Sequence, residues 1–304
     1  DPTGQSAISA FRSITPVLPA RSLALRPRCR LRRRRRECVS IAPVVDIDDG
    51  KLITLLDDTA QQRDPLLDIA LGPALLSAVA AGGGSAQQLR LYRPGPTLAF
   101  SGRDCATEGI AAAAAAARAA GFEPVRRGPG GRAAGYHRAS LCLDHVAADP
   151  HGRTEIRARF TGFGELLVEA LRAVGADARL GPVPGEYCPG EFSINDGHGH
   201  KLVGTAQRLV RGGWLFGTVI LVTDPEPVRS VLVQVYRALG LDWDPSTVGA
   251  VSDTAPGVTV ADVAAAVQAA YARRGELVPG ELPDGVLTDA AGRADRHRVP
   301  GDWA

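Results

Sequence analysis

The stretch Phe192-Ser-Ile-Asn195-Asp-Gly-His-Gly-His-Lys201-Leu-Val-Gly-Thr-Ala-Gln-Arg-Leu-Val210-Arg-Gly-Gly-Trp214-Leu-Phe-Gly-Thr-Val-Ile-Leu-Val222 decides the architecture. It holds three runs, 192–195, 202–210 and 214–222, separated by turn signals at 196–199 and 212–213. Such runs, rich in β-branched and aromatic residues and bounded by glycine turns, read as consecutive antiparallel strands. Further strands are expected at 89–92, 97–101, 123–126, 133–136, 141–147 and 178–180. Helical spacing appears at 64–81, with Asp64-Pro65 as N-cap and first-turn pair, and at 110–120, 162–174, 227–239 and 260–273. Strands come in clusters, with helices between and after them. That is an α+β pattern with a largely antiparallel mixed sheet packed by helices, not a regular βαβ alternation.

The chain has 304 residues, enough for a substantial core. Three segments are expected. Residues 1–50 are a basic, disordered leader or a mis-assigned start; 51–278 form the catalytic domain; 279–304 are a loose polar tail. The leader holds ten arginines within its first 40 residues, including the tract Arg32 to Arg36, against only two acids, Asp1 and Glu37. With a formal charge of +2 overall, the body is therefore mildly acidic. A nucleic-acid surface is not expected on such a body. No apolar run is expected to reach the ~18 residues of a bilayer span, so no membrane partner is expected. Five scattered cysteines, 29, 38, 105, 142 and 188, form no CxxC pair, and a reducing, cytoplasmic setting is the default.

Only two lysines occur, Lys51 and Lys201, in a chain that otherwise uses arginine for positive charge. An ammonium is a compact charge with a tunable pKa, whereas a guanidinium is planar and permanently charged. Lys201 follows Cys188 by 13 residues, in Glu186-Tyr187-Cys188-Pro-Gly190 and the turn after it. The pairing suggests a stabilised thiolate and acyl transfer through a thioester; a surface hairpin with a core cysteine is the alternative. A second segment, Arg126-Arg127-Gly-Pro-Gly130-Gly131-Arg132-Ala-Ala-Gly135-Tyr136-His137, lies between two short strands. Its glycines allow close backbone approach to a ligand, and its N–H groups suit an anion. It is neither a P-loop nor a dinucleotide fingerprint. His198, His200 and Cys188 fit no closed zinc set, so no metal is expected.

Together these segments resemble the lipoate–protein ligase A and octanoyltransferase family. Arg-Arg-x-x-Gly-Gly-x-Ala followed by a histidine is similar to that family's ligand loop. Lys201 with Gly204, Ala206, Gln207 and Arg208 is similar to its second signature, and 91–103 to its first hairpin. The resemblance covers roughly residues 60–275 and implies an α+β fold shared with biotin ligases. It also implies attachment of lipoate or octanoate to a lysine of a lipoyl domain. Tyr187-Cys188-Pro-Gly190 resembles the active segment of the branch that moves octanoyl from the glycine-cleavage H protein. No ligase accessory domain is expected. Arg132, Ser193 (where Asp is common) and the long turn 196–200 depart from the pattern.

On this resemblance, Cys188 is the nucleophile and Lys201 supplies the cation and a hydrogen bond to the acyl carbonyl. His137 is a candidate proton acceptor. Arg127, Gly130, Gly131, Arg132, Gly204 and Gln207 line the acyl or carboxylate site. Each buried chain carbon is worth ~0.8 kcal/mol, so an apolar slot is expected between sheet and helices. The partners implied are lipoyl-domain proteins, with H protein or acyl carrier protein as donor. No cofactor is required; ATP and Mg would enter only for the alternative, an ATP-dependent lipoate–protein ligase. A second alternative is a non-catalytic module that binds lipoyl proteins.

Overall fold

Two sheets divide the molecule. The computed structural model describes residues 52–82, 87–149 and 155–300; the expected leader lies outside them. In chain order the elements are β1 (Leu52–Asp58), α1 (Pro65–Gly82), β2 (Gln87–Tyr92), β3 (Thr97–Phe100), α2 (Ile110–Ala119) and β4 (Glu123–Arg126). Then come β5 (Ala134–Tyr136), β6 (Ser140–Asp149), α3 (Ile156–Ala173), β7 (Arg179–Leu180), β8 (Ile194–Asn195), β9 (Lys201–Val210) and β10 (Gly212–Leu221). The chain continues through α4 (Glu226–Ala238), α5 (Val260–Ala272), β11 (Glu276–Gly280) and α6 (Asp284–Arg293). The large sheet has the order β11-β1-β2-β6-β10-β9-β8-β7, and the small one β4-β3-β5.

The antiparallel run expected at 192–222 is β8–β9–β10. Val210 pairs with Gly213, which leaves Arg211 and Gly212 as a two-residue turn. Gly212 has φ +89°, the left-handed backbone that such hairpin turns need. The sheet is mixed because β1 pairs in parallel with both β2 and β11. Parallel neighbours need a crossover. Between β1 and β2 it is α1, whose N-cap Asp64 accepts the Leu66 N–H at 2.8 Å.

Strand alternation gives the large sheet two different faces. Leu89, Leu91, Leu143, Phe216 and Ile220 pack under α3 and α5, against Phe163, Leu167, Val267 and Tyr271. The opposite face carries Arg90, Tyr92, Asp144, Leu215 and Gly217, under α1 and beside the small sheet. Helices α2 and α4 cover the small sheet through Ala113, Ala117, Val231 and Val235.

Two expectations are corrected. The segment from 279 is not a loose tail. β11 adds to the edge of β1, and α6 buries Val286 and Ala290 against α1. Its Pro- and Gly-rich composition hid a short amphipathic helix. Second, α1 is long and apolar enough by length and composition to cross a membrane, the one such helix among the described residues. Half of it is buried in the fold. Its Asp68 meets the fully buried Arg90 at 2.5 Å, which fixes the helix to the sheet.

Candidate active site

Residues 181–193, between β7 and β8, fold around one buried carboxylate. Glu186 Oε1 accepts the N–H groups of Val183 and Gly190, both at 3.2 Å. Its Oε2 accepts the Ser193 hydroxyl at 2.7 Å and the Lys201 ammonium at 2.8 Å. Ser193 therefore has a definite role: it donates where an aspartate would add a second buried negative charge. Lys201 also donates to the carbonyls of Tyr187 (3.1 Å) and Cys188 (2.9 Å). An ammonium has three protons, and all three are used.

Cys188 is held in a backbone conformation that few non-glycine residues adopt, with φ +42°. Such strain costs about 1–3 kcal/mol and persists only when neighbours over-determine it. Here they do. The Cys188 N–H donates to the Tyr236 hydroxyl at 2.7 Å, and that hydroxyl donates to Ala133 O at 3.0 Å. Lys201 holds the other side of the residue through its carbonyl.

The sulfur points at the glycine loop. Sγ accepts the Arg132 backbone N–H at 3.2 Å and the Arg127 Nη2 at 3.4 Å. Arg127 Nη2 is fixed by the carbonyls of Gly130 (2.9 Å) and Arg132 (2.6 Å), while its buried Nε has no partner. Gly131 has φ +100°, and a Cβ there would lie 2.7 Å from both Sγ and Arg127 Nη2. Only glycine lets the loop come this close. Burial pushes the Cys188 thiol up; the charges of Arg127 and then Lys201, with the Arg132 N–H, together outweigh it and hold the thiol below its ordinary value.

From the sulfur runs a cavity of about 500 Å³, within the usual ~300–1,000 Å³ of small-molecule sites. Its inner part lies on the α1 face, between Ile69, Tyr92, Tyr136, Leu215 and Val219, where the sequence led us to expect an apolar slot. Phe160 and Phe192, stacked with ring centroids 5.1 Å apart, line it near α3.

Of the residues expected here, Cys188, Lys201, Arg127, Gly130, Gly131, Gly204 and Gln207 all line this cavity. Gln207 is braced from α3: Nε2 donates to Ile156 O, and Oε1 accepts Arg159 Nε. Arg132 contributes its amide, not its charge, because its guanidinium turns to the buried Asp104 at 3.1 Å. His137 is a correction. Its Nε2 lies 2.9 Å from Asp224 O, and its Nδ1 accepts the Ala139 N–H at 3.1 Å. Both ring nitrogens are occupied in a turn away from the sulfur, so it cannot take a proton there. Lys201 supplies charge to the thiol as expected but not by contact: its protons go to Glu186 and two carbonyls, and Arg127 is the cation that touches sulfur. His198 and His200 face Asp177 and Asp196. Among the described residues no three His, Cys, Asp or Glu side chains form a group able to hold a metal ion. Sequence reasoning missed Glu186 and Tyr236. Glu186 stands two residues before the cysteine, but nothing in the sequence distinguishes it from a solvated turn acid.

The family model of the lipoyl protein ligase A/B catalytic domain matches residues 64–272, well over half of the chain. The chain belongs to this family. Among its curated relatives is the octanoyl-[GcvH]:protein N-octanoyltransferase of Geobacillus kaustophilus (strain HTA426), 28% identical over 180 residues. That match takes in 58% of this chain and 63% of the relative, so the chain spans less than two-thirds of the relative's length. Among solved structures, lipoate-protein ligase A bound with ATP superposes with a TM-score of 0.65 at 19% identity, over 82% of this chain and 95% of that one. A putative lipoate protein ligase from T. acidophilum with bound lipoic acid gives 0.63 at 20% identity, with the same coverage. These likenesses establish the family's α+β fold for the chain.

Proposed function

We propose that this protein carries an octanoyl or lipoyl group on Cys188 as a thioester and passes it to a lysine of a lipoyl domain. One observation carries the reading. The Cys188 sulfur accepts hydrogen bonds from the Arg127 guanidinium and the Arg132 amide beside an apolar cavity. A thiolate is the nucleophilic form, and nearby cations are what populate it at neutral pH.

The thiolate attacks the donor's acyl carbonyl, the C–S bond forms, and negative charge passes from sulfur to the adjacent oxygen. Arg127 and the Arg132 N–H already face that charge, so they need little movement to follow it. Collapse of the intermediate expels the donor's leaving group. An acyl-carrier thiolate leaves directly, whereas a lysine amine of H protein leaves with a proton from solvent. The acceptor lysine, in its neutral form, then attacks the thioester, releases one proton to solvent and restores the Cys188 thiolate. The name of the Geobacillus relative supports H protein as the donor. The reading requires no nucleotide and no metal. It involves neither nucleic acid nor membrane, and it suits a reducing cytoplasm, where a free thiol persists; Cys105, Cys142 and Cys188 are all free.

The test is intact-mass spectrometry of the full chain after incubation with octanoylated H protein or octanoyl acyl carrier. One octanoyl addition on Cys188, absent in Cys188→Ala, is expected. If Cys188→Ala still modifies a lipoyl domain when given ATP and free lipoate, the thioester route is wrong and the protein acts as a ligase. If neither variant modifies anything, it is a binding module.

A further inference from the structure

Beneath α1 the large sheet buries a charge cluster with one carboxylate too many. Arg90, 0% exposed, donates Nε and Nη2 to Asp58 Oδ2 at 3.0 and 2.8 Å, and Nη2 also to Asp68 Oδ1 at 2.5 Å. Arg63 gives its guanidinium to Asp58 as well. Two arginines thus serve Asp58 and Asp68. The third acid, Asp144 of β6, reaches only Arg90 Nη1, at 3.7 Å, too long for a hydrogen bond. Its carboxyl lines the same cavity as Cys188. A glycine makes room beside it: a Cβ on Gly72 of α1 would lie 3.0 Å from Asp144 Oδ2.

Register sets this carboxyl on β6, two strands from the β9 that carries Lys201. Asp144 is opposite Gly217, and Gly217 is opposite Ala206 on β9. Ala206 lies two residues, about 7 Å, along the strand beyond Gly204, the residue over which the Lys201 side chain reaches on its way to Cys188. Ile69, Tyr136, Val219 and Gly204 line the cavity that both residues share. A chain attached at Cys188 and threaded along the inner cavity runs toward an acid group with no donor of its own. Burial, opposed by Arg90, lifts Asp144 to about 6.

We propose that Asp144 limits the acyl chain, acting as a polar stop that rejects apolar chains long enough to displace water from its carboxyl. Burying methylene groups is favourable only until they cover a charged group that has no hydrogen-bond donor to replace water. This specificity role rests on the acyl-transfer reading above.

The experiment incubates the full-length protein with hexanoyl, octanoyl, decanoyl, dodecanoyl and tetradecanoyl thioesters of a small thiol. The rate of acyl addition to Cys188 is read by intact mass. The natural chain should fall off sharply beyond medium length, by roughly tenfold or more per step once the stop is reached. Asp144→Leu should move the fall-off to longer chains. Asp144→Asn, which keeps the shape and removes the charge, should do the same to a smaller extent and covers the case in which the leucine variant does not fold. Identical chain-length profiles in the natural chain and Asp144→Asn would overturn the proposal while leaving acyl transfer standing. No addition with any chain length would instead sink the acyl-transfer reading.

Discussion

The two faces of the large sheet use alternate residues of the same strands and do opposite things. On β6, Leu143 and His145 face α3 and α5, while Cys142 and Asp144 face α1. Under α3 and α5 the sheet is dry. His145 sits there 1% exposed, edge-on to Phe163, Trp214 and Tyr271 at centroid distances of 5.0, 5.1 and 5.4 Å. Under α1 the sheet is hollow and charged, with a cavity and an excess acid. One face supplies stability. The other tolerates poor packing and an acid without a hydrogen-bond donor because chemistry needs room, and the first face bears that cost.

The contrast can be broken from either side. Removing the sulfur should have the largest effect: Cys188→Ala should lose all acyl addition, read by intact mass, with little change in thermal midpoint. Phe163→Ala, in the dry face, should do the reverse, with about 3–5 kcal/mol lost in denaturant unfolding and acylation retained in the folded fraction.

Acid sharpens the comparison, because a buried titratable group on each face of β6, His145 and Asp144, responds with opposite sign. Burial lowers His145 to about 3. Its folded value is below its unfolded ~6.5, so the folded state binds fewer protons, and stability falls as pH drops from about 6.5 toward 3. Asp144, raised to about 6, binds more protons when folded, so it stabilises the fold as pH falls from about 6 to 4. Denaturant unfolding across this range should therefore show a flatter acid limb in His145→Gln. Asp144→Asn should gain on the order of 1 kcal/mol at pH 7, a gain that shrinks toward pH 4.

The smallest effect concerns the thiol itself. Arg127→Gln should move the pH midpoint of Cys188 alkylation upward by about one unit, because a neighbouring guanidinium is lost. Lys201→Gln should move it less and should also destabilise the fold by leaving Glu186 buried without its cation.

The antiparallel run, most helices, the cysteine and the glycine loop were legible in the sequence because each rests on local signals: apolar alternation, glycine turns and motif order. What escaped depends on distant partners. β1 and β11 are short strands whose pairing needs residues far apart in the chain, and α6 lay hidden in polar composition. The capping box of α5, in which Thr259 Oγ1 accepts the Asp262 N–H and Asp262 accepts the Thr259 N–H, was a readable signal that went unused. Within the site, residue types told more than roles. Lys201 and Arg127 were both expected, but which cation meets the sulfur depends on Glu186, whose burial no local pattern announces. His137 looked reactive only because its two backbone partners, at Ala139 and Asp224, are set by a turn and a remote loop.

The segment after α5 reaches further than its size suggests. Beyond α6 the chain crosses to the small sheet, where Arg298 bridges to Val125, His297 Nδ1 lies 2.7 Å from Arg126 O, and Val299 is fully buried. Arg126 immediately precedes the guanidinium that steadies the sulfur. A fragment trimmed at residue 272, where the family domain match stops, would remove a mooring line tied one peptide away from the reactive centre. Such a shortened protein should retain its cysteine yet show a slacker, more weakly acidic thiol.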